Sequence, residues 1–279
     1  MTQISASQVN MLRKQTGAGM MDCKKALVET GGDFDQAIDV LRKKGQKVAA
    51  KRADRETTEG VVLGLVSAGN ECGAILSLNC ETDFVAKNES FIALAKSFLS
   101  IALSNNAKDI ESIKALSFDS NMSIEEKLVE QTGVIGEKLE LSNYHIISAD
   151  FVCTYIHPGN KLVSLVGFNN MSNGSTENEV GKNIAMQIAA MNPVSLTESD
   201  VPQEVIDKEI EIGKDLARQE GKPEEMLEKI SMGRLKKFFK ENTLINQTFI
   251  KDSKKTVMQY LKECNDDWKI VEFNRVNLG

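Results

Sequence analysis

The chain has 279 residues, of which 41% are hydrophobic and 27% charged, and its formal net charge is −6. These values are ordinary for a globular protein of two or more domains. The negative charge argues against a dominant nucleic-acid surface, because phosphate binding needs clustered positive charge. No apolar run approaches the ~20 residues that span a bilayer, and the first residues match neither a signal nor a transit peptide, so we expect a cytoplasmic protein. Five scattered cysteines without a C-x-x-C pair indicate reduced thiols.

Residues 1–55 are predicted to form a small helical domain that ends in a basic linker. Ser5 and Asp33 each precede a glutamine by three residues, the spacing of a capping box at a helix start. Glycine pairs after the first and second apolar segments separate three helices, and Gly45 is predicted to end the third. The basic stretch 47–55 is interpreted as a solvated connector, with contact to RNA as the alternative.

Residues 56–148 and 149–279 are predicted to be two related subdomains, because the same order of elements occurs in each. Two β-rich segments joined by a turn form a hairpin, and an apolar helix follows. The hairpin segments are 60–66 with 73–80, and 150–156 with 161–168. This internal repeat predicts an α+β fold with small antiparallel sheets and helices on one side.

A third kind of segment spans about 203–240 and lies within the second of these subdomains. It consists of two long charged stretches, 204–220 and 224–240, joined by Gly221-Lys222-Pro223. Each stretch carries a narrow apolar stripe, which is typical of a coiled-coil seam. We therefore expect an antiparallel helical hairpin that projects from the rest of the chain.

Signals for catalysis are sparse in this sequence. The chain has two histidines, His145 and His157, and no phosphate-binding motif of the G-x-x-x-x-G-K-[ST] type. Gly17-Ala18-Gly19 is better explained as a tight turn between helices than as a nucleotide-binding loop. We expect a binding protein rather than an enzyme, with no catalytic residue, no metal site and no cofactor.

The most informative stretch is 82–88, which connects a buried strand to a helix. It places the large aromatic side chain of Phe84 on a turn, where polar residues are usual. Two interpretations are open from the residues alone. The ring either folds back onto Leu78 or Phe91 as a local staple, or it fills a pocket in a partner.

Two motifs resemble the signatures of the elongation factor Ts family. TGAGMMDCKKAL (Thr16–Leu27) is similar to the N-terminal signature, and CETDFVAKN (Cys80–Asn88) is similar to the second. The resemblance implies an N-terminal three-helix domain of the ubiquitin-associated type. It also implies a guanine nucleotide exchange factor of translation elongation. Such a factor binds elongation factor Tu with GDP, displaces Mg²⁺ and promotes GDP release so that GTP can bind.

The resemblance also implies the contact residues. The segment that dislocates magnesium would be Thr82, Asp83, Phe84 and Val85, with Phe84 as a wedge. Further contacts with the partner would come from Ile135 and Gly136 in a loop, His157 in a turn, and Lys24. Asn88 departs from the family, since many members have Asp there, and no contact by an extra C-terminal helix is expected.

Two other functions remain open at the level of sequence. One is a helical-hairpin adaptor or chaperone-like scaffold that binds another protein. The other is RNA binding through 47–55, although three tyrosines and one tryptophan offer little stacking surface. With elongation factor Tu as partner, neither direct nucleic-acid contact nor membrane contact is expected.

Overall fold

The computed structural model describes residues 4–278. Helices and small sheets are mixed along the chain, which confirms the α+β class. The α-helices are α1 (Ala6–Thr16), α2 (Met20–Glu29), α3 (Phe34–Lys51), α4 (Asp83–Ala86), α5 (Glu89–Ser104), α6 (Ile110–Ala115), α7 (Ile124–Ile135), α8 (Ser175–Met191), α9 (Gln203–Gln219), α10 (Glu224–Asn242) and α11 (Val257–Cys264). The strands are β1 (Glu59–Val66), β2 (Cys72–Cys80), β3 (Glu140–Ser148), β4 (Phe151–Ile156), β5 (Leu162–Asn169), β6 (Thr248–Phe249), β7 (Asp252–Thr256) and β8 (Lys269–Asn277).

The first three helices pack around a core of their own. Ser5 caps α1 through a capping box with Gln8, as its sequence predicts, and the Asp33 side chain accepts from the backbone N–H of Gln36 at the start of α3. Leu12 and Leu27 are fully buried in the core between these helices. The three-helix bundle is thus present, while its likeness to a ubiquitin-associated domain stays a prediction.

The prediction that Gly45 ends α3 is wrong, since this glycine packs against another helix within the length of α3. The helix continues to Lys51, and Gly45 lies against Gly133 of α7. A Cβ atom built on Gly133 would lie 2.4 Å from the Gly45 Cα atom. Only glycine at this crossing lets the two helix backbones approach so closely.

The two predicted hairpins are confirmed, and each belongs to a three-stranded sheet. The strand orders are β1-β2-β3 and β4-β5-β8, and β6 pairs with β7 separately. In the second hairpin, β4 and β5 are antiparallel, with Phe151 opposite Phe168. Sequence reasoning missed β3, whose mixed polar and apolar residues lack the strong β-rich pattern of the hairpin strands.

Two compact units can be distinguished in the chain. One comprises 4–63, 76–145 and 277–278, and the other comprises 64–75 and 146–276. In the second unit, α8 packs on β4 and β5 over a core that includes Phe151, Phe168 and Ile184. The division into three domains given above stays a prediction.

Helices α9 and α10 pack against each other and are joined by a turn with Gly221 in the left-handed region. Two small residues lie close together between these helices, since a Cβ atom on Gly213 would lie 3.2 Å from the Cα atom of Ser231. The pairing of the two helices is thus observed. Leu216, which belongs to the predicted apolar stripe, is 40% exposed, and the coiled-coil seam and the projection of the helical hairpin remain predictions.

Among the helices of residues 4–278, none is long and apolar enough to cross a membrane.

Candidate functional site

The site is centred on α4, a single helical turn directly after β2. The N–H of Ala86 donates to the carbonyl of Thr82 (3.2 Å), and the N–H of Lys87 donates to that of Asp83 (3.0 Å). Ala86 is buried, whereas Phe84 is 85% exposed. Two residues apart, these side chains point about 200° apart around the helix axis, so burial of one directs the other outward.

The local-staple interpretation of Phe84 is wrong. Leu78 and Phe91, the two residues onto which the ring was expected to fold, are themselves fully enclosed in the core. Phe84 stays outside this core on the surface of α4. The structure therefore leaves the ring available for contact with another molecule.

A carboxylate fixes the backbone just before α4. The side chain of Glu137 accepts hydrogen bonds from the backbone N–H groups of Glu81 (3.1 Å) and Thr82 (3.0 Å), and from the Thr82 hydroxyl (2.7 Å). Conversely, a side chain of the segment before α4 binds the backbone next to Glu137: the Glu81 carboxylate accepts a hydrogen bond from the backbone N–H of Lys138 (2.7 Å). We call Glu81 and Glu137 the carboxylate clamp.

Arg52 completes the surroundings of Glu81. Its Nη1 atom lies 2.7 and 2.8 Å from the two carboxylate oxygens of Glu81. The hydrogen bond from the Lys138 amide and then the guanidinium of Arg52 lower the pKa of Glu81, against the opposing effect of burial. The Glu81 side chain is therefore held ionised in its fixed position.

Asp83 and Lys87 form an exposed ion pair on α4, with Nζ 2.6 Å from Oδ2. The hydrogen bond between them lowers the pKa of Asp83 and raises that of Lys87. Asp83 is also the first residue of the helix, where a negative charge is favourable. Asp83 and Glu81 each bind a different cation, Lys87 and Arg52 respectively.

Of the two residues that the resemblance places in a contact loop, Ile135 belongs to α7 and Gly136 begins the connection from α7 to β3. Ile135 is the last residue of α7, and Gly136 ends the helix in the left-handed region with φ of 81°. Its N–H donates to the carbonyl of Thr132 (2.9 Å). Because Glu137 follows directly, the clamp joins this helix end to the start of α4. The structure thus brings Thr82 and Gly136 into one region.

The two remaining candidates belong to other elements of the chain. His157 is exposed in the turn between β4 and β5, which belongs to the second compact unit, and its Nδ1 atom lies 3.1 Å from the Tyr155 hydroxyl. Lys24 is exposed on α2.

Sequence reasoning missed Glu137 and Arg52 as parts of this region. Their partners lie 55 and 29 positions away along the chain, so no local pattern indicates them. In the part of the chain that the structure describes, no group of three or more His, Cys, Asp or Glu side chains could hold a metal ion.

An exposed aromatic ring on a hydrogen-bonded helical turn has the chemistry of an anchor for a protein partner. Comparison with known proteins identifies the family of the chain. A family model described as "Elongation factor TS" matches residues 81–279. The chain is 55% identical over 279 residues to the elongation factor Ts of Christiangramia forsetii, with both chains covered completely. It is 51% identical over 280 residues to that of Flavobacterium psychrophilum, again with complete coverage of both. With that of Porphyromonas gingivalis, identity is 45% over 276 residues, which cover 99% of this chain and 98% of the relative.

The chain therefore belongs to the elongation factor Ts family, whose members serve protein biosynthesis as translation elongation factors.

Proposed function

We propose that this chain is the guanine nucleotide exchange factor for elongation factor Tu. It binds the GTPase with GDP, displaces Mg²⁺ and promotes release of GDP so that GTP can bind. Family membership supports this activity. The observation that carries it is Phe84, a large apolar side chain that is 85% exposed on a hydrogen-bonded helical turn.

Exchange of this kind needs no chemical step by the chain itself. The factor must bind the nucleotide-free GTPase more tightly than the GDP form, and linkage then weakens GDP binding by the same factor. The contacts that create this difference must conflict with bound Mg²⁺ or phosphate. A rigid aromatic ring inserted next to the magnesium site can meet that requirement.

The proposed contacts fall into three groups. Thr82, Asp83, Phe84 and Val85 form the segment that dislocates magnesium, with Phe84 as the wedge. Ile135 and Gly136, at the end of α7, are proposed to contact the partner next to this segment. His157 and Lys24 are proposed to bind the partner elsewhere. The chain would exercise this function in the cytoplasm.

The test is the release of a fluorescent GDP analogue from elongation factor Tu in a stopped-flow instrument, with unlabelled GDP in excess. We expect release to accelerate with the concentration of this chain, and added Mg²⁺ to reduce the acceleration. Unchanged release at concentrations where the two proteins bind would contradict an exchange function. That outcome would favour the adaptor or scaffold alternative.

RNA binding through 47–55 is less well supported than protein binding. The guanidinium of Arg52 is engaged by Glu81, so it is not available to a phosphate without breaking this ion pair. The segment has other basic side chains, but the chain as a whole carries a formal net charge of −6, which disfavours binding to RNA phosphates. Strongly salt-dependent RNA binding by the isolated protein would reverse this preference.

A further inference from the structure

We propose that Glu137 is a positioning residue, which acts on nucleotide exchange by fixing the backbone that carries Phe84. The inference rests on the proposed exchange function and adds a residue to it. Glu137 is half-buried at the junction between α7 and β3. It belongs to neither signature motif that the sequence resembles.

The geometry of the Glu137 carboxylate is that of a backbone anchor. One oxygen accepts from two successive N–H groups, those of Glu81 and Thr82, and the other accepts from the Thr82 hydroxyl. These groups immediately precede α4. The Thr82 hydroxyl donates to Glu137 and makes no capping hydrogen bond to α4. Glu137 thus adds a second negative charge near the start of the turn, beside that of Asp83.

The second half of the clamp makes this anchor stiff. While Glu137 binds the amides before α4, Glu81 binds the amide of Lys138 just after Glu137, and Arg52 holds Glu81 in place. Two chain segments are thus joined by carboxylates that point in opposite directions. Charge-assisted hydrogen bonds of this type are shorter and stronger than neutral ones.

The effect on Phe84 follows from its exposure. A side chain with so little of its surface covered is positioned by the backbone beneath it rather than by packing. Loss of Glu137 would free the start of α4 while leaving the Phe84 side chain unchanged. The ring would then reach its pocket in the partner only after the turn had been ordered again.

The experiment compares GDP release from elongation factor Tu for the wild type, Glu137→Ala, Glu137→Gln and the control Glu111→Ala. We expect Glu137→Ala to lower the second-order rate of exchange by roughly tenfold, through loss of charge-assisted bonds. Glu137→Gln should recover part of the rate, because its amide oxygen can still accept from both N–H groups through neutral and therefore weaker hydrogen bonds. Glu111 lies on the surface of α6, paired with Lys114, and its removal should change nothing.

Two further measurements separate positioning from general stability. In a Phe84→Ala background, Glu137→Ala should have little further effect on exchange, since its role passes through Phe84. Amide hydrogen exchange of residues 81–86 should be faster in Glu137→Ala, with unchanged protection in α1–α3. A wild-type rate for Glu137→Ala, or an equal loss in both backgrounds, would overturn the proposal.

Failure of the proposed function would look different. In that case the wild type itself would not accelerate GDP release. Amide exchange of residues 81–86 would still report whether Glu137 holds the start of α4. Unaltered protection of these amides in Glu137→Ala would then refute the structural part of the inference independently.

Discussion

Replacement of Phe84 by alanine tests the site most directly, because the expected effects on stability and on exchange differ sharply. Phe84 is 85% exposed, so only the remaining 15% of its surface is covered in the folded chain. For an aromatic side chain of about 200 Å², this is about 30 Å² of surface. At about 25 cal/mol per Å², the loss of unfolding free energy is about 0.8 kcal/mol. We expect the melting temperature to fall by no more than about 3 °C.

The expected effect on exchange is larger. An aromatic anchor that fills a desolvated pocket commonly costs about 2 kcal/mol or more when it is truncated to alanine. This corresponds to a roughly thirtyfold lower rate of exchange. The assay is stopped-flow release of fluorescent GDP from elongation factor Tu, with thermal unfolding recorded by circular dichroism on the same preparations.

Phe91→Ala serves as the matched control, since it removes the same side chain from a fully buried position of α5. It should destabilise the chain by about 3–5 kcal/mol through loss of packing. If Phe84→Ala instead lost stability on that scale and retained normal exchange, the assignment of Phe84 as the wedge would be refuted.

Three further predictions concern stability. Gly133→Ala places a Cβ atom 2.4 Å from the backbone of α3, so we expect urea unfolding to show a loss of about 1–3 kcal/mol. Gly233→Ala on α10 meets no atom within 4 Å and should gain about 0.5–1 kcal/mol; an equal response of both variants would contradict the packing argument. Asn88 caps α5, so Asn88→Ala should cost about 1 kcal/mol, while Asn88→Asp, measured in the same way, should retain stability. The pKa of Glu81 is lowered in the folded chain, chiefly by the Lys138 amide, so its contribution to stability is full above its unfolded pKa and is lost as the pH falls through the folded value. Glu81→Gln should therefore lower the free energy of unfolding at neutral pH. Below pH 4.5, the unfolding free energy of this variant should fall less steeply with decreasing pH than that of the wild type, as measured by unfolding at a series of acidic pH values.

Secondary structures that depend on residues close together along the chain could be predicted from the sequence. The start of α1 depends on Ser5 and Gln8, three positions apart, and the capping box forms as expected. The hairpin of β4 and β5 follows from two β-rich segments around the turn at 157–160. In both cases the interacting groups are close along the chain, so their spacing carries the information.

Features that depend on distant contacts could not be predicted. Gly45 has the residue type of a helix end, but the structure uses it for the crossing with Gly133, which lies far along the chain. The choice between a staple and an exposed ring for Phe84 depended on whether the space around Leu78 was already filled by the core. The bonds of Glu137 to Thr82 likewise join positions with no common local pattern.

The order of the backbone around α4 explains how an exposed ring can act as a strong contact. Fixing the backbone of one residue costs about 1–2 kcal/mol, so ordering the four residues of α4 on binding would cost on the order of 4–8 kcal/mol. At about 1.4 kcal/mol per tenfold change, this would weaken a complex by roughly a thousandfold or more. In this chain the hydrogen bonds of Glu137 with Thr82, and the helical hydrogen bonds from Ala86 and Lys87, already order the segment in the free protein, so this ordering is not required on binding. If Phe84 inserts into the partner as proposed, the free energy of insertion then remains available to oppose bound nucleotide, which is what an exchange factor requires.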